Sequence, residues 1–110
     1  MYEYNAKVVS IYDGDTMRVD VDLGCGITIL NKSVRLFGIN TPEVRGEERE
    51  QGLIVRDWLR TTMPEGTVFI LKTHKDMTGK YGRLLGTIIH DGIDINQHML
   101  EAGMAVKYGE

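Results

Sequence analysis

The sequence contains a single cysteine, which limits the chemistry open to it. Cys25 excludes an internal disulfide, and its position between two glycines is typical of a turn. The three histidines show no zinc-like spacing from one another or from Cys25. We therefore expect no disulfide framework and no zinc site, and we interpret His74, His90 and His98 as solvated residues.

The sequence also lacks a long apolar run. None approaches the roughly 18 residues that a membrane-spanning helix needs, so we expect no membrane partner. The first ten residues, MYEYNAKVVS, show no basic region followed by an apolar one, so no secretion signal is visible. These features favour a cytoplasmic location, and they leave a mature secreted form open.

An excess of positive charge is missing as well. Thirteen basic side chains against sixteen acidic ones give a net charge of −3. This balance counts against a protein that coats nucleic acid through bulk positive charge. It does not count against an enzyme that acts on nucleic acid, because such an enzyme needs only a few placed cations at one phosphate.

The residues that are present are sufficient for one folded domain over residues 1–110. A hydrophobic content of 42% can form one core. Alternating apolar residues predict strands, and an apolar face at helical spacing predicts a helix. The predicted strands cover residues 6–12, 16–23, 28–37, 67–73 and 84–90, and the helix covers 49–63 after a polar loop over 40–50.

A second helix is predicted near the end of the chain. Asp94 can cap it, with Gln97 as the partner residue of a capping box, and Gly103 fits its C-terminal end. Three meandering strands, a helix and two further strands favour an α+β, mainly β, fold built on a five-stranded OB-type barrel. The pattern alone leaves other small α+β folds open.

Three short segments carry residues suited to phosphate chemistry. They are residues 13–16 (DGDT), residues 35–43 (RLFGINTPE) and residues 80–84 (KYGRL). Each segment alone is an ordinary turn or loop. Their combination is informative, because together they bring carboxylates, an amide and two arginines to the ends of neighbouring predicted strands.

These residue types match the needs of phosphodiester cleavage. That reaction requires a water nucleophile, positive charge at the phosphate and a group that accepts the proton of the water. Asp15 and Asn40 offer oxygen ligands that suit calcium. Glu43 is close enough to Asn40 in a turn to reach water on the metal, while Arg35 and Arg83 offer planar groups that match phosphate oxygens.

The order DGDT, then RLxGxxTPE, then KYGR resembles the staphylococcal nuclease family. Asp91-Gly92, Asn96 and the residues AGMA at 102–105 also look like the last barrel segment and second helix of that family. The resemblance covers about residues 6–107. It implies an OB barrel and a calcium-dependent nuclease that hydrolyses DNA or RNA at the 5′-oxygen and leaves 3′-phosphate ends.

The resemblance also implies a role for each matched residue. Arg35 and Arg83 would bind phosphate as catalytic residues, and Glu43 would be the general base. The implied calcium ligands are Asp15, Asn40 and the carbonyl of Thr41, and the residues near the nucleotide phosphate are Lys80 and Tyr81.

Aromatic side chains could add base stacking to these contacts. Among the tyrosines we consider Tyr108 and Tyr81 the best candidates for stacking on a base. We interpret Tyr2, Tyr4 and Tyr12 as ordinary half-exposed residues.

The sequence departs from the founding member of the family in three places. That member has aspartate where this chain has Asn40, so we expect weaker calcium binding here. Its loop equivalent to residues 44–50 is longer, and it continues into a third helix that we expect to be lacking in this chain. Because that helix covers apolar surface, we expect a monomer with a repacked surface or a weak homodimer, and coverage by a different protein is the third alternative.

A second interpretation is a barrel of this family that binds nucleic acid or a protein without cutting. Asn40 favours this binding module. The joint presence of Arg35, Glu43 and Arg83 favours the nuclease, because a module that only binds has no physical reason to keep all three. A generic OB protein without phosphate chemistry is a third possibility.

Overall fold

Five long strands close into a barrel, and three two-residue strands supplement them within the residues that the structure describes. The structure, a computed structural model, describes residues 2–75 and 84–108. The strands are β1 (Glu3–Asp13), β2 (Thr16–Gly24), β3 (Ile27–Leu36), β4 (Ile39–Asn40), β5 (Val68–His74), β6 (Leu84–His90), β7 (Ile93–Asp94) and β8 (Val106–Lys107). The predicted bounds of the five long strands agree with these to within three residues, the largest difference being the earlier start of β1.

The strands follow the order β3-β2-β1-β5-β6 around the barrel. Neighbours in this order are antiparallel, and a parallel pairing between β3 and β6 closes the ring. In that closure Arg35 lies opposite Leu85, and Leu36 lies opposite Gly86. The predicted five-stranded OB-type barrel is therefore confirmed.

The strict alternation of β2 explains which side of the sheet faces the core. Met17, Val19 and Val21 are buried, whereas Arg18 between them is exposed. Because successive side chains of a strand point to opposite faces, the same alternation places polar residues of β2 on the outer surface.

Helices pack against the barrel and complete its core. Helix α1 (Arg49–Thr62) buries Val55 and Leu59 in the core, as the predicted apolar face requires. Helix α2 (Ile95–Glu101) begins where the Asp94 carboxylate accepts the Gln97 backbone N–H at 2.9 Å. No helix within residues 2–75 or 84–108 is long and apolar enough to cross a membrane.

Several details of the prediction are wrong or incomplete. The polar loop over residues 40–50 begins inside β4 and contains a 3₁₀ turn (Gly46–Glu48). The Gln97 side chain donates to Glu101 at 3.4 Å, so only the Asp94 half of the capping box forms among the described residues.

His74 and His90 are half-buried rather than solvated, and His74 stacks on Phe37 and shares a hydrogen bond with the Thr87 hydroxyl. The contacts of His74 join residues at least 13 positions apart in the chain, so no local pattern signals them.

Candidate active site

The candidate site lies where the β1–β2 turn meets the end of β3. The turn places Asp15 beside the last residues of β3, and the Leu36 N–H donates to the Asp15 carbonyl at 2.8 Å. Strand β4 begins shortly after β3 and brings Asn40 to the same region. Three separate segments of the chain therefore meet at one end of the barrel.

Gly14 allows this close approach. A Cβ atom at this position would lie 2.6 Å from the Val55 Cγ1 atom and 2.8 Å from the Thr41 side chain. Only a residue without a Cβ fits between the helix and the loop. The Asp-Gly pair, which predicts a turn, therefore has the second effect of packing the turn against the residues around Thr41.

The Arg35 guanidinium joins two of the predicted metal ligands. Its Nη1 lies 3.2 Å from the Asp15 Oδ2, and its Nη2 donates to the Asn40 Oδ1 at 3.3 Å. Its Cζ lies 5.1 Å from the centre of the Tyr108 ring, within range of a cation–π interaction. Tyr108 is held there by its own N–H, which donates to the Gly38 carbonyl at 2.9 Å.

Thr41 is held at the centre of the site by its backbone. Its N–H donates to the Asp15 Oδ2 at 3.0 Å, the same oxygen that Arg35 approaches. Its hydroxyl Oγ1 is buried and has no hydrogen-bond partner among the described residues. A buried polar atom without a partner is unusual, and it marks a place where a further polar ligand would be stabilised.

Asp13 is a site residue that the sequence interpretation missed. Its side chain is buried, and its Oδ1 accepts the Asp15 N–H at 3.1 Å. Burial and the neighbouring Asp15 carboxylate raise the pKa of Asp13 to about 6, with a smaller contribution from the charge of Glu43. The DGDT segment shows two carboxylates separated by one glycine, but the pattern alone indicates only a turn at Asp13.

Glu43 is exposed on the loop that follows β4. Its N–H donates to the Glu48 Oε1 at 3.0 Å, and its carbonyl packs against Gly52 of helix α1 so closely that a Cβ there would collide with it. The charge of Glu43 makes a small contribution to the raised pKa of Asp13. The backbone of Glu43 is therefore fixed, while its side chain reaches solvent.

The donor atoms fit a hard cation better than a soft one. Asp13 and Asp15 supply carboxylate oxygens, Asn40 supplies an amide oxygen and Thr41 has the buried hydroxyl without a partner among the described residues. Within residues 2–75 and 84–108, no group of three or more His, Cys, Asp or Glu side chains could hold a metal. An all-oxygen set with carboxylate and amide donors suits calcium. A cation would have to share or replace the Arg35 contacts to Asp15 and Asn40.

The structure brings together the predicted site residues that it describes. Asp15, Arg35, Asn40 and Thr41 are linked by direct contacts, and Tyr108 lies against Arg35. Glu43 follows Thr41 by two residues on the loop after β4. The remaining three predicted residues, Lys80, Tyr81 and Arg83, lie outside the described residues.

The chain is similar in sequence to known proteins. Residues 33–110 match the family described as Staphylococcal nuclease homologue. The chain is 31% identical over 107 residues to proteins named "Uncharacterized endonuclease" from Escherichia coli and Escherichia coli O157:H7, covering 96% of this chain and 62% of theirs. It is 26% identical over 115 residues to "Endonuclease YhcR" of Bacillus subtilis (strain 168), of which the match covers 9%. The chain thus spans about three fifths of the Escherichia coli relatives and a small part of the Bacillus protein.

The fold and the site define an OB-type barrel that carries carboxylate, amide and arginine side chains at one end. This combination, together with the match over residues 33–110, assigns the chain to a family. The protein belongs to the staphylococcal nuclease family.

Proposed function

We propose that the protein is a calcium-dependent nuclease that hydrolyses phosphodiester bonds of DNA or RNA. The observation that carries the proposal is the placement of Arg35 between the Asp15 carboxylate and the Asn40 amide, with the Thr41 N–H on the same carboxylate. A guanidinium fixed beside oxygen ligands supports binding of a phosphate and a cation at one point. The names of the relatives, all endonucleases, support the same reaction class.

Each residue has a proposed task in the reaction. Arg35 and Arg83 bind the non-bridging phosphate oxygens and stabilise the charge that grows on them. Glu43, exposed beside the buried carboxylates, accepts a proton from the attacking water. The water oxygen bonds to phosphorus, the bond to the 5′-oxygen breaks, and the 5′-oxygen takes up a proton from solvent, which leaves a 3′-phosphate and a 5′-hydroxyl. Lys80 and Tyr81 contact the phosphate of the bound nucleotide.

Calcium is the proposed cofactor. The residues that would hold it are Asp15, Asn40 and Thr41. Asp13 contacts this set through its carboxylate, which accepts the Asp15 N–H. When bound, the ion would neutralise phosphate charge and polarise the attacked phosphorus. Asn40 provides one negative charge fewer than a second carboxylate would, so we expect weaker calcium binding than at a site with two carboxylate ligands.

The first test is cleavage of single-stranded DNA and RNA with calcium, compared with the same reaction in excess chelator. Arg35→Ala, Glu43→Gln and Arg83→Ala should each lower kcat/KM by roughly a hundred to a thousandfold, the usual effect of removing one placed transition-state group. Lys7→Gln, an exposed change on β1, is the control and should have little effect. Full activity in Arg83→Ala would contradict the assigned role of this residue.

The alternative is a member of the family that binds nucleic acid or a protein without cutting it. Asn40 is the feature that favours it. The same assay separates the two functions, because a binding module would retain labelled oligonucleotide in a gel or anisotropy measurement and yield no fragments with any divalent ion.

A further inference from the structure

A second feature of the surface extends away from the active site along the outer face of β1, β2 and β3. It is a groove with a volume of about 460 Å³. We call it the arginine groove and define it by its polar and aromatic lining residues, which are Ser10, Tyr12, Thr16, Arg18, Ser33 and Arg60. None of these side chains belongs to the candidate active site described above.

Thr16 connects the groove to the active site. Its hydroxyl donates to the Asp15 Oδ1 at 3.1 Å, and the same residue lines the groove. Thr16 is also the cross-strand partner of Arg35. The groove therefore begins at Thr16, which follows Asp15 in the chain and lies opposite Arg35 in the sheet.

The register of the sheet fixes the spacing between the two arginines on this face. Arg35 pairs with Thr16, and Arg18 lies two residues further along β2, where it pairs with Ser33. Diagonal neighbours of this kind are about 7–8 Å apart and point to the same face of the sheet. This separation refers to the two backbone positions, since the Arg35 guanidinium contacts Asp15 and Asn40 whereas the Arg18 guanidinium contacts the Asn31 carbonyl.

The charge of the groove is positive although the chain as a whole is acidic. Arg18 and Arg60 are exposed, and no acidic side chain is among the described residues that line the groove. A neighbouring groove on the same sheet is different, since Asp20 and Asp22 line it together with Lys7. Positive charge is therefore concentrated on the side of the sheet that leads from Arg35.

Hydrogen bonds to backbone carbonyls hold Arg18 and Arg60 in place, and the ring of Tyr12 lines the same groove. Arg60 donates from Nε and Nη2 to the Ile11 carbonyl, at 3.1 and 2.8 Å, and Arg18 donates from Nη1 to the Asn31 carbonyl at 2.9 Å. A guanidinium has five N–H donors, so donors beyond these can bind an anion. Tyr12 is 52% exposed and offers a ring face for stacking.

We propose that the arginine groove binds the single nucleic-acid strand next to the cleaved nucleotide, with Arg18 and Arg60 on its phosphates and Tyr12 stacked on a base. The proposal rests on the proposed nuclease function, because it assigns the groove to the same substrate. It revises the interpretation of Tyr12 as an ordinary surface residue. Since the groups recognise phosphate and a base face, DNA and RNA strands should bind alike.

The test is a comparison of oligonucleotide lengths. Fluorescein-labelled single strands of three and nine nucleotides are titrated with the protein in EDTA, where cleavage does not complicate binding, and the anisotropy gives Kd. The wild-type protein should prefer the nine-nucleotide strand. Arg18→Gln should remove most of that preference, and the slope of log Kd against log salt should fall by about 0.7, because the variant binds one phosphate fewer.

Two further variants separate location and stacking from net charge. Lys7→Gln removes the same charge from the neighbouring acidic groove and should leave the preference for length intact. Tyr12→Ala should weaken binding of the longer strand at least about fivefold, whereas Tyr12→Phe keeps the ring and should bind like the wild type. Equal Kd values for Arg18→Gln and Lys7→Gln on the longer strand would overturn the proposal.

Failure of this proposal and failure of the nuclease function give different results. A protein that binds the nine-nucleotide strand through Arg18 and Tyr12 but produces no fragments with calcium would support the groove and contradict the nuclease. A protein that cuts, but whose KM on long strands is the same in Arg18→Gln and the wild type, would support the nuclease and contradict the groove.

Discussion

At the scale of single residues, Asn40 sets the charge of the site. Its amide oxygen accepts a bond from Arg35, which also contacts Asp15, so one cation already neutralises one carboxylate here. Asn40→Asp adds a charged oxygen where the amide oxygen lies. We expect tighter calcium binding in a calorimetric titration, because the added carboxylate attracts the ion more strongly than an amide does.

The control for this change is Asn5→Asp, which adds the same charge at an exposed position on β1. It should leave calcium affinity unchanged within error. If Asn40→Asp binds calcium no more tightly than Asn5→Asp, then the side chain at position 40 does not ligate the ion.

The buried carboxyl group of Asp13 should make the stability of the folded protein depend on pH. Its pKa is about 6 in the folded protein against an ordinary value of 3.8, so the folded state holds the proton more tightly than the unfolded state does. The contribution of this proton to stability is complete below about pH 4 and is lost as the pH rises through 6. Above pH 6 the folded protein keeps a buried charge beside Asp15.

Asp13→Asn should remove that cost while keeping an oxygen that accepts the Asp15 N–H. In chelator, we expect the variant to exceed the wild type in free energy of unfolding by on the order of 2–3 kcal/mol at pH 7, and to differ little at pH 4. Urea denaturation at pH 4, 5, 6 and 7 measures this. Glu65→Gln, at an exposed position, should show no such trend, and a constant Asp13→Asn difference across the series would show that the carboxyl does not titrate as inferred.

At the scale of elements, helix α1 packs through Gly52 against the loop that carries Glu43. Alanine in a helix interior is usually more stable than glycine by about 1 kcal/mol. Here the sign should reverse, because a Cβ at Gly52 would collide with the Glu43 carbonyl and force the loop to move. We expect Gly52→Ala to lower the free energy of unfolding by about 1–3 kcal/mol and to lower cleavage activity.

Thermal unfolding and an activity assay measure the two effects of Gly52→Ala. Thr61→Ala, on the exposed side of the same helix, is the matched control and should not be destabilised. A stabilised Gly52→Ala with normal activity would mean that the loop does not depend on this close contact.

The secondary-structure elements differ in how well the sequence predicts them. Long elements such as β2 and α1 were predictable because their apolar residues repeat over several turns or pleats. The pairing of β4 with β8 was not, because Ile39 and Asn40 form a strand too short to have a period, and their partners lie in residues 106–107. The motifs identified Asp15 and Arg35, but the burial of Asp13 and the contact of Arg35 with Tyr108 depend on how distant segments pack.

At the scale of the whole molecule, the candidate metal site exists only when the barrel is closed. Asp15 comes from the β1–β2 turn, Arg35 from β3 and Asn40 from β4, and the β3–β6 pairing that closes the barrel includes Arg35 itself. An unfolded chain does not hold these groups together. A ligand that binds only the folded state stabilises it by about 2.7 kcal/mol at a hundred times its Kd.

Calcium should therefore raise the melting temperature of the whole barrel, independently of any cleavage. At concentrations well above Kd we expect a rise on the order of 10 °C, since each kcal/mol shifts Tm by about 4 °C in a chain of this size. Differential scanning fluorimetry over a calcium series, without nucleic acid, measures the shift. Asp15→Asn removes the central carboxylate and should abolish it, whereas Glu65→Gln should retain it. An identical shift in Asp15→Asn and the wild type would place the stabilising calcium elsewhere on the protein, and the proposed role of the Asp15 site would then be wrong.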